Sequence, residues 1–543
     1  MKKTFFLFLL VCLFLLCIFP FVYLGKTLIW TEGHLDLSIF GEALQHSLTL
    51  ISIRNSVVIC TLTVLVSTLI SLPLAWLLTR SSLSKKGYYR TLFSLPYAIP
   101  PFIGAIAWIN LANPSNGFLK TIFPWINIYS GAGLVFATSA FFYTFILINL
   151  LSALEKIDPS LEEAARISGA TPFQVFTKIT LPLVTPSLVT GMLLTFLSAI
   201  ASFGVPALIG NPAGISMMTT QIYTLQKMAS AHGLKLSGAL SVILLLISSS
   251  VFILDYWVAK KFRYSLVSGK ASRTSHVELG KWSLPAHIFL FFLSLVLFFL
   301  PIGAILISSL SKLQGDRHLS NFGFQNFETI LFHTDETYRA LSNSLILAFT
   351  TAILCTLFAY ALAQGGKSLS GTLNKFKEAF IAIPYAVPGT VLALSMTLTV
   401  LAYKLPLYNT IGIILVAYMA KFLNFSYRSI NDGIAQIDDS LIDAARVAGA
   451  NSWQRLVRIW LPLLRPFLMA SLFLVFMPAF SELTMTVLLT GPGNETIGTL
   501  IFQLQEYGDA SGGGAAVLSF LTLILIIATN WILKLSTKGK YGL

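Results

Sequence analysis

Apolar residues along this chain come in long unbroken runs separated by short polar stretches. They do not alternate with polar residues, as along a half-buried strand, nor keep to one face, as on a surface helix. Twelve such runs fall at about 4–24, 55–79, 92–111, 131–153, 189–210, 237–259, 284–308, 341–363, 379–402, 408–430, 468–490 and 515–534. Each is close to the roughly 20 residues a helix needs to cross a bilayer core. The pattern predicts an all-α polytopic membrane protein with about 12 transmembrane helices. Pro96 and Pro100 interrupt the third run, and Pro384 and Pro388 the ninth. Neighbours must satisfy the carbonyls they free, which predicts kinked or late-starting helices. The first run follows Met1-Lys2-Lys3, but it is longer than a signal-peptide core and no small-x-small site follows it, so it is expected to remain as a span.

The polar stretches set the orientation. Basic residues gather in alternate connections, for instance Arg80, Lys85, Lys86 and Arg90, and again Lys260, Lys261, Arg263, Lys270, Arg273 and Lys281. The opposite connections carry few, among them Lys26, Arg54, Lys120 and Lys404. Basic loops stay in the cytoplasm, so both termini are expected inside. The formal charge of +14 is then mostly topology, and no nucleic-acid partner is expected.

The chain is also duplicated. Asn55-Ser56-Val57 returns as Asn343-Ser344-Leu345, and Leu95-Pro96-Tyr97-Ala98-Ile99-Pro100 as Ile383-Pro384-Tyr385-Ala386-Val387-Pro388. The polar segments 154–188 and 434–468 agree at sixteen of 35 positions. Six expected spans per half is an even number, so both halves enter the membrane from the same side. That predicts two parallel six-helix repeats with a pathway between them: residues 1–265, a cytoplasmic linker at 266–283, and residues 284–543.

The repeated segments 154–188 and 434–468 are expected on the cytoplasmic side. Asp158 and Pro159 are suited to open a short helix, and Gly169 to end it. Asp438 and Gly449 repeat the plan. A short helix with an alanine face, flanked by charge, suits a groove on a cytosolic partner.

Composition narrows the class. Only 11% of the 543 residues are charged, and 55% are hydrophobic, against about 25% charged in ordinary soluble domains. An ordinary cytosolic enzyme, a disordered chain and a secreted disulfide scaffold are excluded. Cys12, Cys17, Cys60 and Cys355 sit in apolar runs with no C-x-x-C pair, so they read as small buried hydrophobes.

The two loops resemble the EAA motif of permeases in binding-protein-dependent ABC importers: E-A-A, three residues, G, nine residues, I-x-L-P. The first loop matches throughout, with Glu163, Ala164, Ala165, Gly169, Ile179, Leu181 and Pro182. The second keeps the spacing, with Asp443 ahead of Ala444, Ala445 and Gly449. The resemblance covers nearly the whole chain as two fused type I permease cores. It implies that each loop docks an ATPase subunit, so one chain serves two copies of a cytoplasmic ABC ATPase. It further implies an external solute-binding protein, periplasmic or extracellular, and a place in the bacterial cytoplasmic (inner) membrane. The fused form is similar to ferric-iron permeases, as is the stretch 203–210. Thiamine and 2-aminoethylphosphonate permeases resemble it too.

No ATP-binding motif is expected here. Gly366-Lys367-Ser368 echoes the end of a P-loop, but Ala361 stands where its first glycine would be. ATP hydrolysis is therefore assigned to a separate subunit, and no cofactor, catalytic set or metal site is expected in this chain. The seven histidines make no metal-binding spacing. Glu32, Asp36 and Glu42 are hard oxygen donors in an outer loop, and read as solvated charge. An ion-coupled secondary transporter is the competing class; it needs coupling groups inside the membrane, and few are present. One is Glu482, expected about 14 residues into the eleventh run and so roughly 21 Å from its inner end. A carboxylate there should avoid lipid, which makes it a pathway or gate residue, or else a packing hydrogen bond. Its counterpart in the first half is Ser202.

Overall fold

The computed structural model describes residues 2–31, 33–228, 230–261, 277–316, 318–366, 371–508 and 513–536. Nearly all of it is helix; one short antiparallel pair, Trp30–Thr31 with His34–Leu35, is the exception among named strands.

Eight continuous helices are long and apolar enough to cross a bilayer: Ser47–Arg80, Gly131–Leu154, Pro172–Ala201, Ala231–Val258, Gly280–Leu310, Asp335–Gly366, Ser452–Phe480 and Gly514–Ile532. Three more are bent pairs. Thr4–Cys17 and Phe19–Ile29 meet at 47°, Lys86–Tyr97 and Pro101–Ala112 at 100°, and Gly371–Ala386 and Gly389–Ala402 at 107°. The last two bends fall at Pro96–Pro100 and Pro384–Pro388. The prolines therefore do more than kink; they turn the chain through a right angle.

By length and hydropathy the described residues hold up to eleven candidate spans, in keeping with the about twelve expected. The tenth run falls on the 25-residue helix Ile411–Ala435, which is less apolar than the others because it carries Lys421, Asn424 and Arg428. The fifth and eleventh runs were set too far along the chain. Their helices begin at Pro172 and Ser452, each behind a capping box, at Thr171 with Gln174 and at Asn451 with Gln454. They end at Ala201 and Phe480. Polar residues near the start, such as Arg455 and Arg458, make the first turns read as loop.

The repeat is structural as well as sequential. Ser47–Arg80 corresponds to Asp335–Gly366, Gly131–Leu154 to Ile411–Ala435, and Pro159–Ile167 to Asp439–Val447. The Asn-Ser pairs have one job in both halves. Asn55 Nδ2 donates to the Ser216 carbonyl at 3.0 Å, and Ser56 Oγ accepts from Met218 N at 2.8 Å. Asn343 Nδ2 donates to the Glu495 carbonyl at 2.9 Å, and Ser344 Oγ accepts from Ile497 N at 2.8 Å. Each pair holds the start of the helix that follows a break, where backbone donors otherwise lack partners.

The halves exchange their leading helices. Lys2–Cys17 packs on Gly371–Ala386 and Phe19–Ile29 on Gly389–Ala402, while Leu300–Leu310 packs on Pro101–Ala112. Phe14 lies 5.9 Å from Phe380 and Tyr23 5.5 Å from Tyr403, centroid to centroid. Gly365 leaves room for this embrace: a Cβ there would sit 2.0 Å from the Phe6 ring. Of the expected linker 266–283, residues 266–276 lie outside the described residues. Val277 pairs back onto the end of Ser47–Arg80, accepting from Ser82 N and donating to the Arg80 carbonyl.

Candidate functional site

Two places carry the chemistry: the repeated loops and a cavity between the halves.

In the first loop, Asp158 caps the helix Pro159–Ile167 by accepting from Ser160 N at 3.0 Å. That bond holds the Asp158 carboxyl below its usual range. Asp438 does the same with Ser440 at 2.8 Å, with the same consequence. Both helices end alike. Gly169 N donates to the Arg166 carbonyl and Ala170 N to the Ala165 carbonyl, and Gly449 N and Ala450 N repeat this with Arg446 and Ala445. The pattern needs a left-handed residue after the cap, and Gly169 and Gly449 have φ of +85° and +80°. A Cβ at either would meet nothing within 4 Å. These glycines serve the backbone turn, not a close approach within this chain.

Glu163, Ala164, Asp443 and Ala444 are exposed, and Ala165 and Ala445 half-buried. Asp443 pairs with Arg446 at 2.9 Å. Apolar residues surround them on the surface: Leu161, Ile167 and Phe173 in one loop, Leu441, Val447 and Trp453 at the same positions in the other. Ile167 and Val447 are 89% and 90% exposed.

Beneath the loops the halves differ. Glu162 is buried and Arg80 Nε reaches its Oε1 at 3.1 Å, both side chains being 2% exposed. Thr180 Oγ1 donates to the same oxygen at 2.8 Å, and Arg80 Nη2 to the Leu154 carbonyl at 2.8 Å. The second loop has Ile442 and Trp460 at the positions of Glu162 and Thr180, both buried. An ion pair holds one loop and apolar packing the other. The anchor has no local signature in the sequence, where Arg80 reads as one more charge that sets topology. The replacement of Glu162 by isoleucine in the repeat was the available signal.

The cavity measures about 540 Å³ and is lined by both halves. Tyr97 and Phe145 face it from the first half, and their counterparts Tyr385 and Phe425 from the second. The ring pairs match, with centroids 5.4 Å and 5.2 Å apart. Glu482 lines it too, but not from within a helix. The helix stops at Phe480, and Glu482 sits in the break before the short helix Thr486–Leu489. Its Oε1 accepts from Met485 N at 2.9 Å, and its Oε2 from Thr486 N at 3.0 Å and Thr486 Oγ1 at 2.6 Å. Tyr418 OH lies 2.7 Å from Thr486 Oγ1 and must donate to it, since that hydroxyl's proton goes to Glu482. The asymmetry with Ser202 follows. Residue 486 corresponds to Pro206, which has no N–H to satisfy, so the first half needs no acid there.

Lys421 is the second charged lining residue. It lies ten residues into Ile411–Ala435, about 15 Å from the outer end expected from the basic-loop pattern. Its Nζ donates to the carbonyls of Tyr385 (3.1 Å) and Val387, at the bend that Pro388 imposes.

The carboxylates expected in the first outer loop are otherwise engaged. Asp36 accepts from Ser38 N at 2.8 Å, and Glu42 pairs with His232 at 2.9 Å; Glu32 lies outside the described residues. Among the described residues no three His, Cys, Asp or Glu side chains group as metal ligands. Lys367 and Ser368 of the P-loop echo also lie outside them.

Residues 67–264 and 352–540 each match the family model described as "Binding-protein-dependent transport system inner membrane component". The chain is similar to the ferric transport system permease protein of Actinobacillus pleuropneumoniae, 27% identical over 502 residues that cover 88% of this chain and 71% of that one. An Fe(3+)-transport system permease protein of Haemophilus influenzae is 26% identical over 454 residues, 83% of each chain. A Salmonella typhimurium protein named for 2-aminoethylphosphonate transport is 31% identical over 248 residues, covering 45% of this chain and 91% of that one. Among solved structures, a bacterial alginate ABC transporter in complex with an alginate-bound periplasmic protein matches at 17% identity and TM-score 0.40, over 49% of this chain and 98% of that one.

Proposed function

The chain belongs to the family of binding-protein-dependent transport system inner membrane components, and from that premise we propose that it is the whole translocation unit of an ATP-driven ferric-iron importer. It is a multi-pass membrane permease, and its role is transport rather than catalysis. The observation that carries the solute is that similarity to ferric permeases runs through both halves.

In this reading the exposed helices Pro159–Ile167 and Asp439–Val447 each dock one copy of a cytoplasmic ATPase. Glu163, Ala164, Ala165 and Gly169, and Asp443, Ala444, Ala445 and Gly449, form the contact. Leu161, Ile167 and Phe173 and their counterparts supply its apolar part, since such residues repeated on one surface favour a partner over water. The loops, the linker and both termini then face the cytoplasm, and a binding protein delivers solute from outside. The cavity is a way-station between the halves, with Glu482 holding its wall in shape from the pathway side. Residues 1–265 and 284–543 act as the two walls.

The test is uptake of labelled ferric iron by proteoliposomes holding this chain, its ATPase and its binding protein. ATP-dependent uptake that requires all three supports the assignment; uptake without an ATPase refutes it. A 2-aminoethylphosphonate solute is the second reading, favoured by the 31% identity to the Salmonella protein, and the same vesicles decide between them.

A further inference from the structure

Resting on the importer reading above, we propose that the cavity between the halves is a transit site for an oxyanion, so that iron crosses ligated by an oxyanion and not as the bare trication. The argument is a count of hydrogen-bonding capacity. Lys421 and Glu482 are the two charged residues lining the cavity among the described residues. No hydrogen bond or ion pair joins them, although each lies in the other's field.

The Glu482 carboxylate is largely spent on the protein. Two backbone N–H groups and the Thr486 hydroxyl donate to it, filling three of its roughly four lone-pair sites, though its negative charge remains. The Lys421 ammonium has three N–H bonds and gives two of them to backbone carbonyls. One is left at the cavity wall. Tyr97 and Tyr385 line the same cavity, and neither hydroxyl has a hydrogen-bond partner among the described residues. The unspent capacity is therefore one ammonium N–H, the two phenols and the hydroxyls of Ser198, Ser202 and Thr484, which also line the cavity, against one remaining lone-pair site of Glu482.

Such a set stabilises a carboxylate, phosphate or phosphonate group, because charge-assisted bonds from an ammonium are the strong ones. It holds a bare trication poorly, because its one carboxylate is largely spent on the protein and an ammonium stands in the same wall. An ion-depleted membrane interior sharpens both effects. Ferric iron at neutral pH persists in solution only when hard oxygen ligands hold it, so an oxyanion-ligated ion matches both the solute and the site. Lys421 and Glu482 come from the second half alone; their counterparts are Phe141 and Ser202. The site is thus off the pseudo-two-fold axis, with the first half supplying mainly apolar wall.

The experiment has two arms. The purified permease–ATPase complex is melted in detergent with citrate, with inorganic phosphate and with sodium chloride at equal ionic strength. Wild type and Lys421→Arg should gain several degrees from an oxyanion over chloride, and Lys421→Met should not. Should Lys421→Met fail to assemble, Tyr97→Phe with Tyr385→Phe removes two donors without changing charge and should reduce the gain. In the second arm, proteoliposomes with the binding protein receive labelled ferric iron presented with citrate or with phosphate. Lys421→Met should lower uptake at least tenfold, and Lys421→Arg should restore most of it. A preference for one co-anion names the source of the oxyanion. Wild-type uptake in Lys421→Met, or equal stabilisation of wild type and Lys421→Met, overturns the proposal. Wild-type vesicles that take up 2-aminoethylphosphonate but no iron would instead overturn the ferric reading; the oxyanion site then stands if Lys421→Met abolishes phosphonate uptake and falls if it does not.

Discussion

Replacing Arg80 by methionine should loosen the first of the two repeated loops and leave the second untouched. Methionine is nearly as long as the arginine stem, so the change removes charge with little loss of volume. It strands Glu162, whose Oε1 keeps only the Thr180 hydroxyl and whose buried Oε2 has no hydrogen-bond partner. Breaking a buried pair from one side costs about 3–5 kcal/mol. At about 1.4 kcal/mol per tenfold, local opening of the helix Pro159–Ile167 should become roughly a hundred- to several-thousandfold more frequent. Hydrogen exchange in lipid nanodiscs reads this directly: amides of 160–170 should lose protection, while those of 440–450 should not. The double variant Arg80→Met with Glu162→Ile supplies the control. It copies the apolar character of Ile442, and swapping a buried pair for apolar groups is often neutral or stabilising. Protection should return in the double variant. Unchanged exchange in the single variant, or a double variant no better than the single, would refute the claim that this pair anchors the loop.

Three further outcomes are expected. Gly169→Ala or Gly449→Ala should cost about 1–2 kcal/mol of local stability through the left-handed backbone alone, and in the isolated chain a leucine should cost little more, since the space is open; hydrogen exchange of the loop measures both, and a much larger leucine penalty would show a clash the structure lacks. Glu482→Gln should lower the melting temperature and slow transport together, because an amide offers one acceptor where two backbone donors and a hydroxyl wait; wild-type values for both would remove Glu482 from the pathway wall. The Asp158 and Asp438 carboxyls are held below their usual range, so their contribution to the loops is present above the ordinary Asp value of about 3.9 and is lost as pH falls through the lowered one; carbon-detected titration of labelled Asp should give midpoints under that value, and a midpoint at or above it contradicts the caps.

Much of this was legible in the sequence because the cues are local. Span length, proline position, loop charge and the repeated E-A-A spacing are each set by a few neighbouring residues. The breaks near Ser202 and Glu482 have no local signature because apolar residues continue through them: Phe203, like Leu483 and Met485, is buried around a turn instead of within a helix. Lys421 was visible as a lysine in an apolar run, yet its partners are carbonyls of residues 385 and 387, and a carbonyl has no signature in sequence. Arg80 and Glu162 are 82 residues apart, and nothing local distinguishes a buried arginine from one that marks the cytoplasmic face.

The exchanged leading helices bear on how the chain is made. Lys2–Cys17 and Phe19–Ile29 leave the ribosome well before the surfaces they clasp, Gly371–Ala386 and Gly389–Ala402, which emerge about 340 residues later. At about 5–20 residues per second, the first helices wait roughly 15–70 s in the bilayer before their seat exists. In that interval their facing sides, Phe6, Leu13 and Leu24 among them, meet lipid or a chaperone of the insertion machinery. Assembly therefore cannot finish half by half: the first repeat is closed only when the second has been threaded into the membrane, and a ribosome that stalls midway leaves an open clasp.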